Sequence, residues 1–166
     1  MERDELTHEE LKQRLRDVEK DNRQLRQDKE ELLETLGTLE DRVQLLETVL
    51  DSVPDIIGVQ LPDHQVLLYN QAGYDFLNMA QSEIEGKRCF ELLGHTQPCS
   101  PCATSDSIAT VSVAEHDKYF PELDRFINCR AQPILDQEGN VTHVIEVLRD
   151  ITEWKKAEKS IIDANM

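Results

Sequence analysis

The 166-residue sequence predicts an α+β fold: a five-stranded antiparallel sheet with short helices, preceded by a long parallel dimeric coiled-coil helix. Three observations predict it. Residues 1–53 contain no proline and a single glycine, and their apolar residues recur at alternating intervals of four and three. From residue 54 onward the texture changes to short β-rich runs, two before and three after a stretch of brief helical turns. Finally, the chain is 39% hydrophobic and only 5% aromatic, too thin in apolar mass for its whole length to form one globule.

The first element is the coiled coil. Its d positions are Leu11, Val18, Leu25, Leu32, Leu39, Leu46 and Val53, and its a positions are Leu15, Asn22, Lys29, Leu36, Val43 and Leu50. Two residues per heptad make a seam too narrow for ordinary core packing and right for a second helix. A buried Asn22 can pair with its symmetry mate and so favours two parallel strands in one register. Lys29 packs its stem and lets its ammonium escape, which a dimer tolerates better than a larger bundle. The expected dimerisation residues are therefore Asn22, Leu25, Lys29, Leu32, Leu36, Leu39, Val43, Leu46 and Leu50. The alternative is one amphipathic helix lying on the neighbouring domain.

Residues 54–152 form the expected globular part. Ile56–Leu61 and Val66–Tyr69 are expected strands around a Pro62-Asp63-His64 turn. Asn70 can cap a short helix through Leu77, and Ser82 to Gly86 suggests another turn of helix ended by glycine. Val111–Phe120, Arg125–Leu135 and Val141–Leu148 are three further strand candidates, the last two joined by a hairpin turn at 136–140. Residues 153–166 begin a polar C-terminal helix. It breaks off without a cap, so the chain is expected to be a piece of a longer signalling protein, a short adaptor being the alternative.

Several fragments in this part carry a family resemblance. Val53-Pro54-Asp55-Ile56-Ile57-Gly58-Val59, Tyr69-Asn70-Gln71-Ala72, Ile84-Glu85-Gly86-Lys87 and Pro133-Ile134-Leu135-Asp136-Gln137-Glu138-Gly139 resemble segments of PAS sensor domains. Arg149-Asp150-Ile151-Thr152-Glu153 is similar to the Asp-Ile-Thr signature at that domain's end. The resemblance implies a sheet covered on one face by short helices around a small ligand or cofactor pocket. It further implies a sensory role, as in sensor histidine kinases, with signals passed along coiled-coil helices to a kinase or other output domain. Asp150 and Thr152, where the sheet hands over to the last helix, are the candidate signal-transmission residues; a helix cap is a compatible role for Asp150.

Four cysteines, Cys89, Cys99, Cys102 and Cys129, carry the candidate chemistry. Cys99-Ser100-Pro101-Cys102 lets two thiolates converge on one metal, and Cys89 lies only ten positions upstream. On its strand Cys129 shares a face with Ile127 and Ala131, so it is expected to point inward, as a fourth ligand or as a buried inert thiol. His95 and His116 are rival fourth ligands. An iron–sulfur cluster, 4Fe–4S or 2Fe–2S, is the expected cofactor, tilted that way by the resemblance to sensors. A structural zinc site held by the four cysteines uses the same ligands, and a metal-free thiol switch through Cys99 and Cys102 is the remaining alternative.

Composition excludes other classes. The net charge of −16, from 34 acids against 18 bases, argues against nucleic acid and against anionic membrane surfaces. No run of residues is apolar enough to span a bilayer, and the first residues lack a signal-peptide profile, so a cytoplasmic protein with reduced thiols is expected. Arg88, Phe90 and Leu93 depart from the motif of flavin-binding light sensors. No nucleophile elbow or phosphate loop is present, so no catalytic residues are expected and the chain is expected not to be an enzyme.

Overall fold

The computed structural model describes residues 7–164; the expectations for the first residues and for the last two lie outside them. Helix α1 spans His8–Asp51. The Thr7 backbone N–H donates to Glu10 Oε2 at 2.7 Å, and the Glu10 N–H returns a 3.4 Å bond to Thr7 Oγ1, a reciprocal cap on the first turn. Helix α1 closes just before Pro54, whose ring cannot continue the hydrogen-bond ladder. Val53, although in heptad phase, therefore lies beyond the last helical residue.

The chain divides into two compact units, residues 1–46 and 47–166. In the second, β1 (Ile56–Gln60), β2 (Val66–Tyr69), β3 (Ala114–Phe120), β4 (Arg125–Leu135) and β5 (Val141–Asp150) form one antiparallel sheet in the order β2-β1-β5-β4-β3. Helices α2 (Gln71–Leu77), α3 (Gln81–Ile84), α4 (Cys89–Leu92) and α5 (Ala103–Thr110) lie between β2 and β3, and α6 (Thr152–Ala164) follows β5. Five strands with short helices and a long N-terminal helix match the expected fold class.

Two helices went unseen in the sequence, and one strand starts late. The third strand begins at Ala114 rather than Val111. Val111 instead ends α5 in the left-handed region, φ 51°, with its N–H bonded to the Ser107 and Ile108 carbonyls. Residues 103–110 are small and polar and propagate a helix weakly by themselves. They are helical because Ala103, Thr104 and Ser107 are buried against the sheet. Helix α4 is a single turn, stiffened by the Arg88 N–H donating to Glu91 Oε2 at 2.9 Å.

Two apolar clusters make the core. One gathers Phe120, Ile127, Cys129, Ala131 and Val144 under α5, and the other gathers Ile56, Val66, Tyr69 and Ile84 under α2 and α3. Leu148 packs on both. The Tyr69 ring lies against Gly58 on the neighbouring strand, where any side chain would collide with it. In the β4–β5 hairpin, Asp136 Oδ1 accepts the Glu138 and Asn140 N–H groups at 2.9 Å, and Gly139 supplies the positive φ of 87° that the turn requires.

Candidate functional site

Four cysteines spread from residue 89 to residue 129 meet in one place. Cys89 opens α4, Cys99 lies in the loop before α5, Cys102 is the N-cap of α5, and Cys129 sits in the middle of β4. All four line one cavity of about 70 Å3 whose apolar walls include Phe90, Leu93, Phe120, Ile127 and Leu148. The inward orientation expected for Cys129 is observed: Ile127, Cys129 and Ala131 are buried on one face, while Arg130 is exposed. His95, His116, Lys118 and Glu146 also line the cavity.

Cys99 and Cys102 form the tightest part of the site. The Cys99 thiol hydrogen-bonds the Cys102 sulfur, which pushes Cys99 up and pulls Cys102 down. Burial opposes the second shift. The Ser105 N–H, donating to Cys102 Sγ at 3.4 Å, adds to it, as does the nearby His64. The other two thiols are held in the protonated form: burial pushes both up, Cys129 to about 12, and the carboxyl of Glu146 adds to each shift.

A metal or iron–sulfur cluster asks for several thiolates on one centre. The donor set suits that demand, because four thiols and no competing disulfide face one water-poor space. The geometry assembles only the Cys99–Cys102 pair. Among the described residues, no group of three or more His, Cys, Asp or Glu side chains is arranged to hold a metal ion. Cys89 and Cys129 would have to close on the pair. As for the rival ligands, His95 Nε2 pairs with Glu122 at 3.3 Å and His116 Nε2 with Asp106 at 2.6 Å, so a carboxylate engages each at the cavity's edge.

Three residues of this site were not singled out as site residues by sequence reasoning. His64, buried in the β1–β2 turn at φ 72°, places Nε2 3.2 Å from Ser105 Oγ and Nδ1 3.8 Å from Cys89 Sγ, linking α4 to the start of α5. Glu146 is pushed up to about 7 by burial, with the negative Cys102 adding to the shift. Behind it, Gln60 Nε2 donates to Thr104 Oγ1 at 2.8 Å, and the threonine hydroxyl reaches Glu146 Oε1 at 3.4 Å. The alternation of apolar and polar residues along β5 was the one signal that could have marked Glu146 as inward: Val144, Glu146 and Leu148 share a face.

The expected transmission residues sit at the junction of sheet and last helix. Asp150 Oδ1 accepts the Thr152 N–H at 2.9 Å, and the carboxylate pairs with Arg125. Burial raises its pKa, but the bonds from Thr152 and Arg125 outweigh that and leave it lowered. Thr152 Oγ1 accepts the Phe126 N–H at 2.9 Å, and the Phe126 carbonyl accepts the Ile151 N–H at 2.8 Å. Because Ile127 pairs with Asp150 in the β4–β5 ladder and Cys129 with Leu148, the cavity wall and the start of α6 belong to one hydrogen-bonded ribbon.

At the other end of the domain, Asn70 joins the last turn of α1 to the sheet. Its Oδ1 accepts the Ile57 and Gly73 N–H groups, and its Nδ2 donates to the Leu50, Val53 and Asp55 carbonyls. Arg149 ties the end of β5 to Asp55 with bonds of 2.8 and 2.6 Å. The expected dimerisation residues all lie on α1. Asn22 and Lys29 are exposed there, and the apolar members from Leu25 to Leu46 are half to two-thirds exposed, with Leu50 half-buried. No described helix is long and apolar enough to cross a membrane.

No curated protein matches the chain. Among solved structures, it resembles the PAS domain of BvgS from Bordetella pertussis, at 18% identity over 76% of this chain and 97% of that one, TM-score 0.53. A sensory box sensor histidine kinase from Vibrio cholerae matches at 16% identity over 71% and 98%, TM-score 0.51. The PAS domain of nitrogen regulation protein NR(II) from Vibrio parahaemolyticus matches at 11% identity over 64% and 98%, TM-score 0.53. At such identities these likenesses speak for the fold. The PAS domain family itself matches residues 54–153, the span that holds all four cysteines, both transmission residues and the whole sheet, and the chain belongs to that family.

Proposed function

We propose that the chain is the sensory module of a cytoplasmic signal-transduction protein. Its input site is the four-cysteine cavity, where Cys89, Cys99, Cys102 and Cys129 hold an iron–sulfur cluster, 4Fe–4S or 2Fe–2S. Its output is a kinase or another domain reached through α6. The observation that carries the proposal is the convergence of all four cysteines on one cavity whose wall is continuous with the start of α6. Bound there, a cluster supplies sensitivity to redox state or to a diatomic gas.

The chain's own residues do the rest. Cys99 and Cys102 offer an already paired, partly deprotonated anchor, and the Ser105 N–H and His64 steady the Cys102 sulfur. Cys89 and Cys129 give up their protons on ligation, a step that their burial and the adjacent Glu146 make costly. A ligated Cys129 pulls β4 toward the cavity. Phe126 and Ile127, a few residues back along the same strand, carry that displacement to Ile151, Thr152 and Asp150. For a signal to pass, the ligated and free states must favour different placements of α6. The module performs no catalytic step.

The test is a UV–visible spectrum with iron, sulfide and zinc analysis on protein purified without oxygen, then exposed to air. Brown protein with broad absorption near roughly 400 nm that bleaches in air is the expected result. Colourless protein carrying about one zinc per chain would overturn the redox cluster and leave a structural clamp. A second reading rests on the Cys99–Cys102 hydrogen bond: metal-free protein whose peroxide-treated form contains a 99–102 disulfide would make the pair a thiol switch. Metal-free protein with no such disulfide would return the cavity to small-molecule binding.

A further inference from the structure

The apolar side chains at the a and d positions of α1 from Leu11 to Leu46 lie 50% to 69% exposed, a stripe along most of the helix with no partner in the single chain. Charges flanking the stripe name the partner. At g stand Arg14, Asp21, Asp28, Thr35 and Arg42; at e stand Lys12, Glu19, Arg26, Leu33, Glu40 and Glu47. In a parallel pair without stagger, each g residue reaches the e residue about five positions further along the other helix. That juxtaposes Arg14 with Glu19, Asp21 with Arg26, and Arg42 with Glu47, all of opposite sign. The two other g–e contacts, Asp28 with Leu33 and Thr35 with Glu40, bring no like charges together.

Other arrangements lose this match. A slip of one heptad sets Arg14 against Arg26 and against Lys12, Asp21 against Glu19, and Asp28 against Glu40. It retains only Asp28 with Arg26 and Arg42 with Glu40, and it places Asn22 opposite Leu15 and Lys29. In an antiparallel pair a positions meet d positions. Every d residue from Leu11 to Leu46 is Leu or Val, so Asn22 and Lys29 would each bury a polar group against an aliphatic one in any register. Only the unstaggered parallel pair lets Asn22 meet Asn22.

We infer that α1 is a self-recognition surface whose partner is a second copy of this chain, parallel and unstaggered, with orientation set by Asn22 and register set by the Arg14–Glu19, Asp21–Arg26 and Arg42–Glu47 contacts. The inference does not depend on what the cysteine cavity binds.

A charge-swap pair of full-length variants tests it by sedimentation equilibrium. Arg14→Glu with Asp21→Arg creates like-charge contacts in its own dimer, and so does Glu19→Arg with Arg26→Glu. Mixed in equal amounts, the two variants regain opposite charges at every swapped contact. Each alone should dissociate at a concentration roughly tenfold or more above wild type, and the mixture should recover as a heterodimer. A damaged fold would not be rescued by mixing. Separately, Leu15→Cys under mild oxidation should yield a 15–15 cross-link, identified by mass spectrometry after proteolysis. A monomeric or trimeric wild type, a mixture as weak as its components, or absence of the 15–15 cross-link would each overturn the inference.

Discussion

Asn70 holds more of the domain together than any other single side chain described above. It is buried, caps α2, and is bonded to groups at residues 50, 53, 55 and 57, so its amide replaces water for backbone groups on three separate segments. Asn70→Ala should cost about 3 kcal/mol, the sum of a lost cap and several unsatisfied buried groups, read from chemical denaturation. Glu146 makes a second prediction. Its folded pKa of about 7 lies above the ordinary 4.5, so its folded form holds the proton more tightly than the unfolded chain does. Stability from this group is therefore greatest at acid pH and falls as pH rises from about 4.5 through about 7. In metal-free protein, Glu146→Gln should be more stable than wild type at about pH 8, by up to roughly 3 kcal/mol, and should flatten the pH dependence between about 5 and 8.

At the scale of elements, the hand-over from β5 to α6 is a cap shared between two strands. Asp150 satisfies the Thr152 N–H, and Thr152 in turn satisfies the Phe126 N–H on β4, so the first turn of α6 cannot move without disturbing the strand beside it. Lys155 adds a 3.1 Å ion pair to Asp117 on β3. Thr152→Val keeps the side chain's size and removes the hydroxyl. It should destabilise the domain by about 1 kcal/mol and raise hydrogen exchange in residues 153–156 more than elsewhere. If the cavity signals through this junction, the same variant should also leave metal content unchanged while weakening any response of α6 to it.

For the whole molecule, the division at residues 46 and 47 has a direct consequence. The second unit carries the complete sheet, both apolar clusters, the cysteine cavity and the last turn of α1 that Asn70 binds. Protein lacking residues 1–46 should therefore fold, with a far-ultraviolet spectrum rich in sheet. Its melting temperature should no longer depend on protein concentration, because the second copy's helix is gone. Loss of cooperative melting in the shortened protein would show that the two units fold as one.

Heptads, β-runs and turns are properties of neighbours a few residues apart, and whatever rests on them can be read along the chain. The long helix, the Asn70 cap, the order of five strands, the inward face of Ile127, Cys129 and Ala131, and the helix after Ile151 were all legible as local periodicity or cap chemistry. The Cys99-x2-Cys102 pair was legible for the same reason. Helix α5 was not, because its weak formers are held by burial against the sheet rather than by their own propensity. Nor was the meeting of His64 with Ser105 and Cys89, or the role of a carboxyl on β5 as the cavity wall that raises the pKa values of Cys89 and Cys129. Those features depend on which strands pair and in what register, which is set by global packing and cannot be inferred from spacing along the chain.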